Sequence, residues 1–469
     1  SIATILPEEN GETIPSDPTS LANFQAPHID IATTNFDMQP GSLILAPGAA
    51  MNVTTYLVPG SSGQSAFGRV LLEAGSEIDL AGMTGVTRSV ADYLYTFKVT
   101  ANDVADSPLA SSLIGQSVTI DLSLSGTRAD GEAWVGSPLF ASSGAGYLSN
   151  ITQGIDQLLT KGGSLSFGAG AVAFKDVVTS PGSLIDVSGG WIQYTGATIK
   201  TTRLTGADGR LYDIGSANPD ISYDVLNGFT VNHPPRGLPE IYTNPLLGGG
   251  YYKPGYIDGV SAGGLGVTAV NPVLEGNIVG DIVTGLRQLQ LSQTGTGAGG
   301  SQLTPDQLPS GASLTIKLAA PNSSANADAV VLAEDAPDAV GSSPSLTSPL
   351  TLPTNPVTTS SVVTFSTDVL SADNFGSISI TGASELSMAA GASLSVRPGG
   401  SIKLDNVTNI DGTLTAHAGS ITLTGYVPVS VTLNPAPPTS TLAVGPDAVL
   451  DVSGLWVNDA GNDPMKGSA

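Results

Sequence analysis

The chain of 469 residues contains no cysteine, which excludes disulfide scaffolds and thiolate metal sites. Basic residues are scarce: 16 Lys and Arg stand against 40 Asp and Glu, and the formal net charge is −24. This balance argues against binding to nucleic acid or to anionic membranes, because both need basic patches. No apolar stretch approaches the roughly 18 residues of a membrane helix. No signal peptide is recognisable at Ser1, so we expect a processed product or a fragment.

A short apolar motif returns near the C-terminal end. Apolar–polar–apolar triplets begin at Ile378, Leu386, Leu394, Ile402, Leu414 and Ile421, with spacings of 8, 8, 8, 12 and 7 residues. In each triplet, two side chains face inward around one that faces outward, which is the period of a strand. Gly, Ala, Ser and Pro separate the triplets and turn the chain. The pattern therefore predicts short strands joined by tight turns.

Such short strands are not stable alone, but stacking each strand on its equivalent one turn later buries a continuous core. Three strands at eight residues each give a coil of roughly 24 residues, which suits a parallel β-helix. The sequence therefore predicts an all-β fold, a parallel β-helix with insertions outside its coils. One short helix is expected in an insertion, with Ile151, Ile155, Leu158 and Leu159 on one face and Ser149 or Asn150 as its cap.

The repeats divide the chain into coil tracts and tracts without coil periodicity. The predicted β-helix tracts are 41–86, 161–205 and 361–469. The predicted remaining tracts are an extended lead-in at 1–40, extrahelical insertions at 87–160 and 206–300, and a loop or linker at 301–360. The second insertion is rich in tyrosine. The linker is assigned from its Ser, Pro and acidic composition.

One longer unit recurs three times, with an apolar residue on each side of an Asp. Its aspartates are Asp79, Asp186 and Asp451. Each lies between two inward side chains, so it is expected to face outward at the end of a strand. There it can accept a hydrogen bond from the following turn. This role is favoured over a catalytic or calcium-binding one.

Several longer motifs carry a resemblance to a known family. They are 121–139 (DLSLSGTRADGEAWVGSPL), 185–194 (IDVSGGWIQY), 201–204 (TTRL), 218–223 (NPDISY), 227–233 (NGFTVNH) and 255–263 (GYIDGVSAG). Over roughly residues 40–300 the chain resembles the filamentous-haemagglutinin-family exoproteins, which Gram-negative bacteria export by two-partner secretion. It departs from typical members in being short and in having no recognisable secretion domain at Ser1.

The resemblance implies a right-handed parallel β-helix with extrahelical loops. It also implies an extracellular or cell-surface location, an adhesive or structural role and an outer-membrane secretion partner. It supplies no catalytic residues.

Two groups of residues are candidates for contact with partners. Tyr242, Tyr251, Tyr252 and Tyr256 form a loose aromatic cluster in the second insertion, and exposed rings of this kind can stack on glycans. The alternative is that the rings pack the insertion onto the rod. At the C-terminal end no polar cap follows the last repeat, so an apolar edge is expected there for stacking of further copies, at Val449, Leu450, Val452 and Trp456.

Enzymatic alternatives are weaker. Ser261 lies in a Gly-x-Ser-x-Gly pattern, but a strand follows it, where a nucleophile elbow needs a helix. The carboxylate pairs Asp405/Asp411 and Asp447/Asp451 keep a polysaccharide-processing enzyme as a remote alternative. No cofactor is expected, although residues 458–463 (NDAGND) have the composition of a calcium loop without its ligand spacing.

The sequence thus predicts a secreted or surface-exposed structural or adhesive β-helical rod without enzymatic activity. The rod is expected to contact further copies of itself, in filaments assembled head to tail, or the glycans of host or neighbouring cells. A glycan-binding module acting through the tyrosine-rich insertion is the main alternative.

Overall fold

The fold is all-β: most elements of the described chain are short strands that follow one another, and its helices are short. The computed structural model describes residues 2–4, 13–15, 24–55, 67–140, 146–168, 173–226, 229–233, 238–242, 250–288, 308–321, 327–339, 341, 345–354, 361–372, 375–425 and 441–454. None of the helices among these residues is long and apolar enough to span a membrane.

The strands follow one another closely along the chain. The first half contains β1 (Ile2–Thr4), β2 (Thr13–Pro15), β3 (His28–Ala32), β4 (Phe36–Met38), β5 (Leu43–Leu45), β6 (Ala50–Thr54), β7 (Phe67–Leu72), β8 (Glu77–Asp79), β9 (Val86–Ser89), β10 (Leu94–Lys98), β11 (Ser117–Asp121), β12 (Ser125–Thr127), β13 (Ala133–Val135), β14 (Thr152–Gly154), β15 (Ser164–Phe167), β16 (Phe174–Thr179), β17 (Leu184–Asp186), β18 (Trp191–Thr195), β19 (Ala197–Ile199) and β20 (Arg203–Gly206).

The second half contains β21 (Leu211–Asp213), β22 (Tyr223–Val225), β23 (Phe229–His233), β24 (Leu238–Tyr242), β25 (Tyr251–Lys253), β26 (Tyr256–Gly259), β27 (Gly264–Leu274), β28 (Asn277–Val279), β29 (Ser313–Leu318), β30 (Ala329–Ala333), β31 (Val362–Ser366), β32 (Ser377–Thr381), β33 (Leu386–Met388), β34 (Ser393–Ser395), β35 (Ser401–Ile410), β36 (Thr413–Thr415), β37 (Ser420–Gly425), β38 (Ala443–Val444) and β39 (Val449–Asp451). The helices are α1 (Ile155–Leu158) and α2 (Thr367–Ser371), with 3-10 turns at Val90–Tyr93, Pro108–Leu113, Pro138–Phe140, Leu148–Asn150 and Ile214–Ser216.

Most of these strands pair in parallel and form three rows. Row A contains β3, β6, β15, the first half of β27, β29, β32, the first half of β35 and β37. Row B contains β4, β7, β16 and the second half of β27, and then β31, β30, β33, the second half of β35 and β38. Row C contains β1, β5, β8, β17 and β28, and then β34, β36 and β39. Most passes of the chain visit rows A, B and C in that order; in the pass that begins with β29, both β30 and β31 lie in row B.

The register within each row places inward apolar side chains on one another. In row A the register partners are Ile29, Met51, Leu165, Leu265, Leu314, Ile378, Ile402 and Ile421. In row C they are Ile44, Ile78, Ile185 and Ile278. Inward residues of all three rows belong to one hydrophobic core. The predicted triplets at Ile378, Leu386, Leu394, Ile402, Leu414 and Ile421 are confirmed as strands.

Helix α2 occupies the gap in row C between β28 and β34. Ser366 caps it, because its Oγ accepts a hydrogen bond from the Val369 N–H at 3.3 Å. Two of its hydroxyls then bond to the backbone of β34. Thr367 Oγ1 accepts from the Ser393 N–H at 3.3 Å, and Ser371 Oγ accepts from the Ser395 N–H at 3.1 Å. The helix therefore satisfies a strand edge that would otherwise lack partners.

The two insertions leave and rejoin the rows at glycines packed backbone to backbone. A Cβ on Gly82, just after β8, would lie 1.9 Å from the carbonyl oxygen of Thr160. A Cβ on Gly263, just before β27, would lie 1.7 Å from the carbonyl oxygen of Gly163. Only glycine tolerates such contacts. Glycine is therefore required at this corner, where the insertions leave row C and the chain returns to row A.

Outside the rows, the two insertions share a second hydrophobic core. Its buried members include Ile120 and Phe140 from the first insertion and Leu204 and Tyr223 from the region of the second. The backbone also joins them, since the Thr202 N–H donates to the Thr119 carbonyl at 2.9 Å. The segments 94–140, 146–151 and 202–225 thus form one unit, here called the insertion module.

Several strands that the structure places in the rows lie outside the predicted β-helix tracts. They are β1, β3 and β4 in the lead-in, β27 and β28 in the second insertion, and β29 and β30 in the linker. The linker assignment followed from Ser- and Pro-rich composition. Yet 313–318 (SLTIKL) alternates strictly, and its burial follows that alternation. Local periodicity, which decides which face is buried, outweighs composition here.

Another part of the predicted linker packs against row B. Leu346, Leu350 and Leu352 lie on the outward side chains of Leu71, Val178 and Val273. The Arg69 guanidinium donates to the carbonyls of Ser345 and Ser348 at 2.8 and 2.6 Å, and it pairs with Asp176 at 2.8 Å. Both faces of these row B strands are therefore covered, so consecutive residues such as Leu71 and Leu72, or Val177 and Val178, are buried together.

The short helix in the first insertion was predicted with the wrong cap. Strand β14 lies between Asn150 and α1, and Gly154 is the residue at the N-cap. The Gly154 N–H donates to Gln157 Oε1 at 2.9 Å. The glutamine side chain therefore satisfies the N–H of Gly154, and no side chain at the N-cap accepts a bond from the helix, which is the role predicted for Ser149 or Asn150.

Strand β29 offers a matched test of the core. Leu314 is fully buried between Leu265 and Ile378, whereas its neighbour Thr315 faces outward. Replacing Leu314 by Ala should lower the free energy of unfolding by about 2–5 kcal/mol through loss of burial and the cavity left behind. Thr315→Ala should change it by no more than about 0.5 kcal/mol. Denaturant titration followed by circular dichroism compares the two, and equal effects would contradict the inward register.

A buried carboxyl precedes β30. The Asp328 residue is 8% exposed, and burial raises the pKa of its carboxyl to about 6, from an ordinary value of 3.8. Between these values the folded state holds a proton that the unfolded state has lost. Stability therefore rises as the pH falls through this window, and it is lowest above the folded pKa.

Replacing Asp328 by Asn should remove this pH dependence. We expect the variant to be more stable than the parent at about pH 7.5, by on the order of 1–3 kcal/mol, and to differ little at about pH 4. Thermal unfolding at the two pH values measures the difference. The exposed Asp335→Asn variant is the control and should follow the parent at both. A parent-like pH profile for Asp328→Asn would refute the assignment.

Candidate binding surface

The four predicted contact tyrosines lie on three strands. Tyr251 and Tyr252 belong to β25, which pairs antiparallel with β19, and Tyr256 begins β26, which pairs antiparallel with β18. Tyr242 ends β24, opposite Phe229 in β23. The side chain of Tyr242 lies outside what the structure describes. The structure therefore gives side-chain surroundings for three of the four.

Tyr256 is held in a packed aromatic group. Its ring stacks on the ring of Tyr194, its register partner, with 4.7 Å between centroids and 20° between planes. The Arg287 guanidinium lies 4.2 Å from the Tyr256 centroid, and the Tyr194 hydroxyl lies 2.9 Å from that of Tyr93. Burial raises the pKa of Tyr194 to about 12. Tyr256 thus fits the packing role given above as the alternative to glycan contact.

Tyr251 and Tyr252 are more accessible. Tyr252 is 67% exposed and Tyr251 is 39% exposed. The hydroxyl end of Tyr252 lies over Gly196, where an added Cβ would come within 2.3 Å of it. Partial burial raises the pKa of Tyr251 to about 12, so its hydroxyl stays protonated and can donate a hydrogen bond. Because neighbouring side chains of a strand point to opposite faces, the two rings lie on opposite sides of β25, and Tyr252 is the more accessible of them for stacking on an apolar or sugar face.

The residue after these tyrosines fastens β25 to the insertion module. Lys253 Nζ lies 2.7 Å from Asp121 Oδ2 at the end of β11, and the Asp121 side chain is fully buried. Asp121 Oδ1 accepts from the Ser123 hydroxyl at 2.6 Å and from the Ser123 N–H at 3.0 Å. Lys253 Nζ also contacts the Ser123 hydroxyl. The carboxylate is therefore satisfied on both oxygens.

The predicted assembly edge lies in row C. In the described part of the chain, β39 is the outermost strand of its sheet and pairs with β36 alone. Its apolar residues are exposed, with Val449 at 48%, Leu450 at 43% and Val452 just beyond it at 48%. Trp456 lies outside the described residues. An exposed apolar strand edge can pair with a further strand.

The recurring Asp side chains behave as the sequence predicted. Asp79 accepts a hydrogen bond from the Ala81 N–H at 3.0 Å, Asp186 from Ser188 at 2.8 Å and Asp451 from Ser453 at 2.9 Å. Burial raises the pKa of Asp79, and the stacked carboxylate of Asp186 adds to the effect. These carboxylates hold the turns that follow their strands.

The enzymatic and metal alternatives gain no support from the geometry. Ser261 lies between β26 and β27, and its hydroxyl accepts from the Ser310 N–H at 3.0 Å. Within the ranges given above, no cluster of three or more His, Cys, Asp or Glu residues could hold a metal ion. The calcium-like stretch at 458–463 falls outside those ranges.

Comparison with protein-family models, with curated proteins and with solved structures gives no match. The resemblance to filamentous-haemagglutinin exoproteins therefore stays a prediction from the motifs quoted above.

Sequence reasoning missed the partners that hold the tyrosines in place. Tyr194, Arg287 and Asp121 lie far along the chain from β25 and β26, and nothing local marks them. One signal was present for Tyr194, since 191–195 (WIQYT) alternates as expected for a strand with one buried face.

Proposed function

We propose that this chain is a structural or adhesive surface protein whose three rows close into a right-handed parallel β-helix. One observation carries the proposal: row A stacks eight strands in continuous register, each from a later pass of the chain. A stack of this kind is an extended scaffold that carries binding surfaces in its insertions. The family resemblance adds export from a Gram-negative bacterium through an outer-membrane partner.

The composition supports a position outside the cell. Only 12% of the residues are charged and the net charge is −24, a composition that disfavours nucleic acid as a partner and fits a protein of the cell exterior. The proposal includes no catalytic activity and no cofactor. The mechanism is mechanical: the stack holds the insertion module and the exposed strand edge at fixed positions, where they meet other copies or a cell surface.

Head-to-tail assembly follows from the apolar edge of β39. Negative-stain electron microscopy of the purified chain should show filaments built from stacked rods. Val449→Lys places a charge on that edge and should leave mostly single rods, since a buried lysine at the contact would lack a partner. Val283→Lys changes a side chain of similar exposure, 39%, on a lateral surface and should leave the filaments intact.

Absence of filaments from the parent chain at every concentration would remove self-assembly from the proposal. Filaments that survive Val449→Lys would place the contact elsewhere on the chain. In either case, rods visible by microscopy would still support the β-helical scaffold.

A glycan-binding role is the second candidate, supported by the exposure of Tyr252. If its ring stacks on a sugar, Tyr252→Ala should weaken binding by about tenfold, equivalent to about 1.4 kcal/mol. Tyr252→Phe keeps the ring and should retain most of the affinity. Glycan-array binding followed by calorimetry on the best ligand provides the measurement. Equal affinity of the parent and the Ala variant would exclude this ring as the contact.

A further inference from the structure

A lysine–aspartate contact joins the insertion module to β25, and its amino and carboxyl groups lie close enough to react with each other. Lys253 and Asp121 are 132 residues apart in the chain, yet Lys253 Nζ lies 2.7 Å from Asp121 Oδ2. The carboxyl is fully buried and the lysine side chain is only 14% exposed. Buried neighbours Ile120 and Leu122 flank the aspartate along the chain.

The two groups are held by different elements and cannot easily separate. Asp121 ends β11, whose register with β10 fixes its backbone, and Ser123 holds its Oδ1. Lys253 ends β25, whose register with β19 fixes it in turn. Two reacting groups held in contact in this way have effective concentrations far above those in solution, on the order of 10⁵ M or more.

We propose that Lys253 and Asp121 condense to an intramolecular isopeptide bond. The Lys253 ammonium gives one proton to Asp121 Oδ2, and the resulting amine attacks Asp121 Cγ to form the C–N bond. The Cγ–Oδ2 bond then breaks, and the oxygen leaves as water with a second proton from the nitrogen. That proton passes directly from Nζ to Oδ2, its contact partner, while the Ser123 hydroxyl donates to Oδ1 and stabilises the oxygen that becomes the amide carbonyl. One water is lost, and no oxidant or reductant takes part.

The buried position favours the product. A buried ion pair loses the hydration of two charges, and the attraction between them offsets this loss only in part. The amide is neutral, and its N–H and carbonyl need only hydrogen bonds. The product also gives a chain without cysteine a covalent tie between its insertion module and the strand that carries Tyr251 and Tyr252.

Intact-mass spectrometry of the denatured, full-length chain tests the proposal directly. The expected mass lies below the sequence mass by one water. Digestion should release a branched peptide in which tandem fragmentation joins the β11 segment to the β25 segment at Lys253. The full sequence mass, unchanged after prolonged incubation of the folded protein, would overturn the proposal.

Two variants separate the bond from other losses of water. Lys253→Arg keeps a cation beside Asp121 but cannot form the amide, so it should have its full sequence mass. Asp121→Asn should lose ammonia in place of water if its side chain condenses in the same way. A parent-like loss of water in Lys253→Arg would show that the loss arises elsewhere and would also overturn the proposal. Neither result depends on filament formation or glycan binding.

Discussion

The in-register pairing of parallel strands is the constraint on which the rest of this structure depends. Each short strand has too few hydrogen bonds to persist alone, so its stability comes from the strands before and after it in its row. The register also decides which side chains meet: an isoleucine above an isoleucine fills the core, and a shift by one residue would turn every apolar group outward. Turn chemistry serves this register, because Asp79 and Asp186 fix the chain direction directly after two row C strands.

The insertions depend on the same register. They leave from row C and return to row A at a corner where glycine backbones touch, so the stack continues across the interruption with its pairing unchanged. Outside the rows, the apolar side chains of the two insertions pack against each other in the second hydrophobic core. The Lys253–Asp121 contact then joins this second core to β25, which is followed by β26 before the chain returns to the stack at β27. Strand β25, which carries Tyr251 and Tyr252, is thus held both by β19 and by the insertion module.

Local periodicity was enough to predict the strands, whereas long-range partners were not predictable from it. The triplets at Ile378 and Ile402 gave the correct inward faces, and the Asp motif gave the correct turn. The apolar runs around Tyr95 and Val118 form strands and pair with each other as β10 and β11. The Ser- and Pro-rich composition of 301–360 led to a wrong prediction of a linker around Leu314, where the alternation of apolar residues correctly indicates a strand. The surroundings of Tyr256 depend on Tyr194 and Arg287, which only the folded register brings near, so its packing role could not be chosen from sequence.

The shared core of the insertions also changes how this stack should come apart. In a simple stack each pass touches only its neighbours, so unfolding can begin at an end and advance one pass at a time. Here the insertion module connects the passes that contain β8, β17 and β27, so none of them can unfold without disrupting it. These passes should therefore yield as a single cooperative block under heat or tension, while the passes from β32 onward open one after another. We therefore expect the passes that contain β8, β17 and β27 to resist unfolding more strongly than the passes from β32 onward.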